Sequence, residues 1–284
     1  MFLIIGYVIV LAASLGTYAI HGSLAALWVP TEYVAIVGLM IGGFVASNSI
    51  KAIKSTMAAL PSVLKGSSYN KAYYMDVLAL MYELLSKVRK EGLMSIEGDI
   101  ENADASPIFS KYPAFMSDHH AVEFLTDYLR MMVGGNLNAF EIENLMDMEI
   151  ETHHQEAHGP AHVMSKVADA VPAFGIVVAV MGVVNVMGSV GQPPAVLGKM
   201  IGGALVGTFL GILVSYGFVA PIAGQLEQKV EEGSKIYQCM KVVLLASMNG
   251  YAPQVAIEFG RKVLFSSDRP SFIELEEDVK SRKG

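Results

Sequence analysis

Apolar residues in this chain gather into four long runs separated by polar sequence. The first is continuous over residues 1–20. The second covers 33–50, carries Gly38, Gly42 and Ala46 at spacing four, and is closed by Lys51 and Lys54. The third, 169–190, begins Asp169-Ala-Val-Pro172-Ala-Phe-Gly175 and stays apolar to Met187. The fourth, 200–222, carries Gly203, Gly207 and Gly211 and reaches Pro221. Each run has about the 20 residues that a helix needs to cross a ~30 Å hydrocarbon core. Between Pro172 and Met187, and between Met200 and Ala220, there is no Asp, Glu, Lys, Arg or His. No Lys or Arg precedes the first run and no small-residue cleavage site follows it, so it reads as a retained membrane helix.

The remaining segments, 51–168 and 223–284, alternate differently. In the first, Val77, Leu80, Met81, Leu84, Leu85 and Val88 fall on one side of a helix that Gly92 ends. Ser95 is placed to cap a new helix, with Glu97 and Asp99 in its first turn. Pro107 and Pro113 mark a loop, and a helix over 121–133 ends at Gly134-Gly135. An acidic helix over 140–158 is predicted to stop at Gly159-Pro160, with a further helix leading into Pro172. After Pro221 the pattern is amphipathic to a turn at Asn249-Gly250, and a short helix covers 255–265. No strand alternation of any length and no solenoid repeat occurs. The predicted fold is all-α: a polytopic membrane protein with four transmembrane helices and a large helical cytoplasmic domain. Lys51, Lys54, Lys65 and Lys166 flank the long middle segment, and Lys229 and Lys235 follow the last span. The positive-inside rule then places that segment and both termini in the cytoplasm.

Composition agrees with a membrane protein that has a sizeable aqueous part: 53% hydrophobic and 17% charged over 284 residues. A net charge of −7 argues against a nucleic-acid partner. The sole cysteine, Cys239, precludes an intrachain disulfide, fits a reducing compartment and reads as a small buried apolar side chain. With no Walker, Rossmann or zinc spacing present, soluble-enzyme chemistry and a bound cofactor are unsupported.

Candidate chemistry is defined by what the spans lack. A charge at mid-membrane costs about 2.5–3.5 kcal/mol on insertion scales, so one that persists there is usually functional. None persists here. Glu32 and Asp169 lie at span edges, where headgroups and water can solvate them. If the protein conducts an ion, the titratable group must come from another chain. The spans carry small residues instead. Gly203, Gly207, Gly211 and Ser215 share one face, and Gly175 with Ala179 forms a shorter stripe. Such stripes let helices approach closely, either within the chain or between subunits around a shared pore. Pro172 suits a first helical turn, whereas Pro221 should kink a helix that continues past it. Among His153, His154, His158 and His162, the last three are four apart. A break at Gly159-Pro160 separates them, so they read as solvated. Lys87, Arg89, Lys90, Glu91, Glu97 and Asp99 crowd around Gly92 and read as a solvated helix end.

Six stretches carry a family resemblance: Ile96-Glu97-Gly98-Asp99-Ile100-Glu101-Asn102; Phe140-Glu141-Ile142-Glu143 with Leu145-Met146-Asp147; Pro172-Ala173-Phe174-Gly175; Val206-Gly207-Thr208-Phe209-Leu210-Gly211-Ile212-Leu213; Asn249-Gly250-Tyr251-Ala252-Pro253; and Glu258-Phe259-Gly260-Arg261-Lys262 through Arg269-Pro270-Ser271-Phe272-Ile273-Glu274. Along nearly its whole length the chain resembles the MotA family of flagellar motor stator subunits. The resemblance implies a homopentamer around a MotB dimer whose single span carries the ion-binding aspartate, in the bacterial inner membrane. It implies that Arg89 and Glu97 touch the rotor protein FliG, and that Pro172 and Pro221 couple ion passage to rotation. It also places Ala179, where sodium-driven relatives have threonine, and Thr208 on the ion pathway, which favours H+ over Na+. The rival readings are an ExbB/TolQ-like energising subunit, a self-contained channel or transporter, and a passive membrane scaffold. Four spans and the 89–102 segment favour the stator over ExbB/TolQ. A self-contained channel needs polar midspan residues that this chain lacks.

Overall fold

The computed structural model describes residues 2–135 and 138–282, and among these all regular secondary structure is helical. In chain order the helices are α1 (Phe2–His21), α2 (Pro30–Ser47), α3 (Ile50–Ala59), α4 (Lys71–Glu91), α5 (Glu97–Glu101), α6 (Pro113–Met116), α7 (His119–Gly134), α8 (Ala139–Met187), α9 (Pro194–Val214), α10 (Ala220–Met248), α11 (Pro253–Val263) and α12 (Phe272–Ser281). A π turn, Ser215–Val219, joins α9 to α10. The chain forms two compact units of discontinuous sequence: residues 1–66 with 157–229, and residues 67–156 with 230–284.

The first unit holds the apolar runs. Four helical stretches are long and apolar enough to cross a membrane: α1, α2, α8, and α9 continued through the π turn into α10. Helix α1 buries none of its residues, and α2 buries only Ile36. A helix that is apolar all round yet uncovered by protein has lipid as its solvent. The small core of this unit joins Ile36, Val171, Val178, Val206 and Leu210. Helix α2 begins at Pro30, ahead of residue 33, because proline is well suited to a first turn. It stops at Ser47, where Asn48 turns extended and the Ser49 hydroxyl accepts the Ala52 N–H to cap α3.

Helix α8 corrects one expectation. It runs unbroken through Gly159-Pro160 and Pro172. An interior proline costs about 3 kcal/mol. Burial offsets that cost: Pro160 is itself buried, and the adjacent Ala161 packs with Val63 and Leu226.

The second unit has a larger core built around α4. Val77, Leu80, Met81, Leu84 and Leu85 are buried as the periodicity predicts, with Val88 partly buried. Leu78 and Tyr82 are buried too, because α4 is covered on more than one side. Gly260 of α11 explains how: a Cβ there would lie 2.5 Å from Val243 Cγ2 and 3.0 Å from Leu78 Cδ2. Phe109, Tyr112, Phe115, Phe124 and Tyr128 are buried in the same core. Their polar tips are satisfied: Tyr112 donates to Glu83 at 2.7 Å and Tyr128 to Glu149 at 2.6 Å. Tyr69 and Tyr73 both donate to Asp118. Burial first, and then the Asp118 charge, pushes both phenols far above their ordinary range. Cys239 is fully buried in this core. Gly92 ends α4 at φ 90°, a backbone region that favours glycine.

Ser95 does not cap a helix. Its hydroxyl donates back to the Gly92 carbonyl at 2.7 Å, and a 3₁₀ turn, Leu93–Ile96, precedes α5. The charge cluster around Gly92 therefore splits into two populations. Asp99 is 5% exposed and is held by Lys87 at 2.8 Å and by the Ser106 hydroxyl at 2.6 Å. Arg89, Lys90, Glu91 and Glu97 are exposed.

Candidate functional site

The first unit turns on the antiparallel contact of α8 with α9. A Cβ at Gly175 would lie 2.8 Å from the Gly207 carbonyl oxygen and 2.9 Å from Gly211 Cα. A Cβ at Gly211 would lie 2.7 Å from Gly175 Cα. One heptad further, a Cβ at Gly182 would meet Ala204 at 2.6 Å. These helices touch backbone to backbone, which only glycine permits at such separations. Gly207 and Gly211 are thus used inside the chain. Gly203 is looser, with Val29 Cγ2 3.9 Å from its Cβ position. Gly38 and Gly42 have nothing within 4 Å of theirs.

Two prolines follow at the same end of this contact. Pro172 has no N–H, so the Ala168 carbonyl four residues back lacks its helical donor. The Ser215 hydroxyl of the π turn fills that place, donating to Ala168 O at 2.6 Å. Pro221 is accommodated differently from a simple kink. The chain widens into the π turn just ahead of it, and Ala220 N–H reaches back to Ser215 O. Helix α1 braces the turn: Tyr7 donates to Phe218 O at 2.8 Å, with its ring 4.8 Å from that of Phe218. The hydrophobic pattern gives no sign of this change of hydrogen-bond register.

Ala179 and Thr208 are both half-buried. The Ala179 backbone nitrogen lies 3.1 Å from the Cβ position of Gly207, beside Thr208. The same position lies 3.3 Å from Glu32 Oε2. That oxygen is buried and has no hydrogen-bond partner among the described residues. Glu32 is therefore not simply solvated at a span edge; part of its carboxylate is pressed against the glycine stripe. It lines a cavity of about 740 Å³ with Trp28, Asn185, Lys199 and Gly203. Asp169, by contrast, is exposed.

In the second unit Arg89 and Glu97 point to solvent and neither forms an ion pair among the described residues. Because α8 is unbroken, His154, His158 and His162 do share one helix. His154 Nδ1 lies 2.9 Å from Ser234 Oγ, and His158 Nε2 lies 3.3 Å from the Glu227 carboxylate. Among the described residues no three His, Cys, Asp or Glu side chains are grouped to hold a metal ion.

Comparison with known proteins places this arrangement. Residues 4–92 match the model of the Motility protein A N-terminal family, and residues 117–239 that of the MotA/TolQ/ExbB proton channel family. Motility protein A of Escherichia coli (strain K12) is 53% identical over 284 residues, covering 100% of this chain and 96% of the relative. Chemotaxis protein LafT of Vibrio parahaemolyticus is 31% identical over 281 residues, covering 99% of each chain. The flagellar MotAB stator complex from Bacillus subtilis contains a chain that superposes with a TM-score of 0.72 at 26% identity, over 90% of this chain and 92% of that one. The structure of C. jejuni MotAB contains a chain that shares the fold with a TM-score of 0.77 at 21% identity, over 95% of this chain and 98% of that one. The chain therefore belongs to the MotA family, as a four-span, all-helical membrane protein of the stator type with a structural and channel role rather than an enzymatic one.

Proposed function

We propose that this chain couples proton flow across the bacterial inner membrane to torque on the flagellar rotor. In this reading copies of the chain, five in number, surround a MotB dimer, and the large helical segment and both termini face the cytoplasm. The observation that carries it is the α8–α9 contact: glycine backbones pressed together, two proline irregularities at one end, and no charged residue between Pro172 and Met187 or between Met200 and Ala220. Such a pair can line a path and transmit movement, but the titrating group along those segments must come from a partner. MotB, present in the MotAB complexes whose chains superpose on this one, is that partner. The glycines Gly38 and Gly42, open in the single chain, supply a face for a neighbouring copy.

Torque passes to FliG through the exposed charges Arg89 and Glu97. Exposed pairs are each worth about 0–1 kcal/mol and are screened by salt. Contacts of that strength can form and release in turn. Pro172 and Pro221 are the joints between ion passage and this surface. The ExbB/TolQ reading accounts for the 117–239 match but not for the N-terminal motility match over 4–92.

Complementation tests the reading. The chain expressed with MotB in a strain lacking its stator should restore swimming, and Arg89→Glu should weaken it, with partial rescue by charge reversal on FliG. Full torque and normal recruitment in the Arg89→Glu strain would move the contact surface elsewhere.

A further inference from the structure

We infer that Ser215 is a positioning residue of the coupling apparatus, whose hydroxyl replaces the donor that Pro172 lacks and ties the proline irregularity of α8 to the π turn ahead of Pro221. The inference rests on the reading above, in which those two prolines carry movement.

The geometry is specific. Ala168 is 3% exposed and Ser215 is fully buried, so water cannot satisfy the freed carbonyl. In a continuous helix that carbonyl would accept the N–H of residue 172, which is proline. The Ser215 hydroxyl lies 2.6 Å away and is its donor. Ser215 is also the first residue of the π turn, and its own carbonyl accepts the Ala220 N–H that defines the turn. One residue thus bonds α8 through its side chain and closes the π turn through its backbone. The bond lies one helical turn beyond Gly211, where α8 and α9 are already in backbone contact. On its other side the turn is held by the Tyr7 hydroxyl on Phe218 O, and Gly217 admits Val10, whose Cγ1 lies 3.0 Å from the Cβ position. While the Ser215 bond persists, the two proline irregularities move as one body. When it breaks, a buried carbonyl loses its hydroxyl donor in an apolar setting, which is costly. A hydrogen bond of ordinary net strength corresponds to roughly a fivefold to tenfold bias in the equilibrium between joined and separated states.

A double-mutant cycle on the full-length chain purified with MotB tests this. Ser215→Ala should lower the melting temperature of the complex and reduce torque per stator at stall by up to that bias. Ser215→Thr, which keeps the hydroxyl, should restore both. In a Pro172→Ala background residue 172 again supplies an N–H to Ala168 O, and there Ser215→Ala should leave the melting temperature unchanged. An equal loss in both backgrounds would overturn the clamp. A cycle that behaves as expected while Ser215→Ala keeps full stall torque would overturn the positioning role and leave the hydroxyl merely structural. Full torque from Pro172→Ala alone would instead refute the proline-coupling reading on which the inference depends.

Discussion

At the scale of single residues, the charges around Gly92 separate by burial into two kinds of work. Asp99 is 5% exposed, and its Lys87 partner is 31% exposed. Breaking a fully buried pair costs about 3–5 kcal/mol, and partial exposure of the lysine reduces that. Asp99→Ala should therefore destabilise the second unit by about 1–3 kcal/mol, read as faster limited proteolysis of the 67–156 segment. Arg89→Ala, at an exposed side chain, should leave the proteolysis pattern unchanged within about 0.5 kcal/mol and alter only torque. Sequence alone grouped these residues because spacing shows that charges are near a helix end, not which of them the following 3₁₀ turn folds inward. Glu32 was opaque for the same reason. Sequence placed it at the edge of the second span, ahead of residue 33; that it lies in the first turn of α2 and approaches Gly207 depends on where α2 starts and how it packs against α9.

Helices and turns show which sequence signals survive folding. The four apolar runs were readable from their length and lack of charge and the α4 face from its periodicity, and Gly92, Gly135 and Gly250 mark ends or turns at positive φ, where glycine is favoured. The continuity of α8 was not readable, because local propensity at Gly159-Pro160 is overridden by the burial of Pro160 and Ala161. The π turn was hidden because a hydrogen-bond register leaves no trace in hydropathy. The glycine stripe was visible, but not its division of labour. Gly211→Ala sets a Cβ 2.7 Å from the Gly175 Cα, a backbone atom that cannot swing aside. That overpacking should cost about 1–3 kcal/mol or more and be seen as loss of the assembled complex from membranes. Gly42→Ala meets nothing within 4 Å and should leave the chain's own fold intact, so any loss it causes reports on a contact with another chain, which the proposed assembly assigns to a neighbouring copy. Helix α12 offers a pH test. Lys71 above all, and then the Ser271 cap, hold the Glu274 carboxyl at about 2. Because the folded value lies below the unfolded one, this stabilisation is present above the ordinary carboxylate range near ~4.3 and is lost as pH falls towards about 2. Amide exchange in α12 should rise selectively in that window, and Ser271→Ala should weaken its protection at neutral pH.

For the molecule as a whole, the deciding fact is which side chains line the membrane-spanning segments. Sodium must shed water and find oxygen ligands to replace it, and an unsatisfied cation in a low-dielectric site is costly. A proton needs only a carboxylate and a hydrogen-bonded path. Of the two residues proposed for the pathway, Ala179 has no side-chain oxygen and Thr208 has one hydroxyl, while the neighbouring Ser215 hydroxyl is already committed to Ala168 O. The nearest carboxylate, Glu32, sits in the first turn of α2 and reaches Gly207. On the proposed reading these few oxygens make a poor sodium site, and the proton path is completed by a partner's acid. The chain alone in liposomes should therefore hold a proton gradient, and the chain with MotB should dissipate it. Swimming of the complemented strain should stay flat as external sodium varies at fixed pH and ionic strength, and a protonophore should stop it. Speed that saturates with sodium and survives the protonophore at alkaline pH would mean that the missing oxygen ligands come from MotB, and that Ala179 does not select the ion.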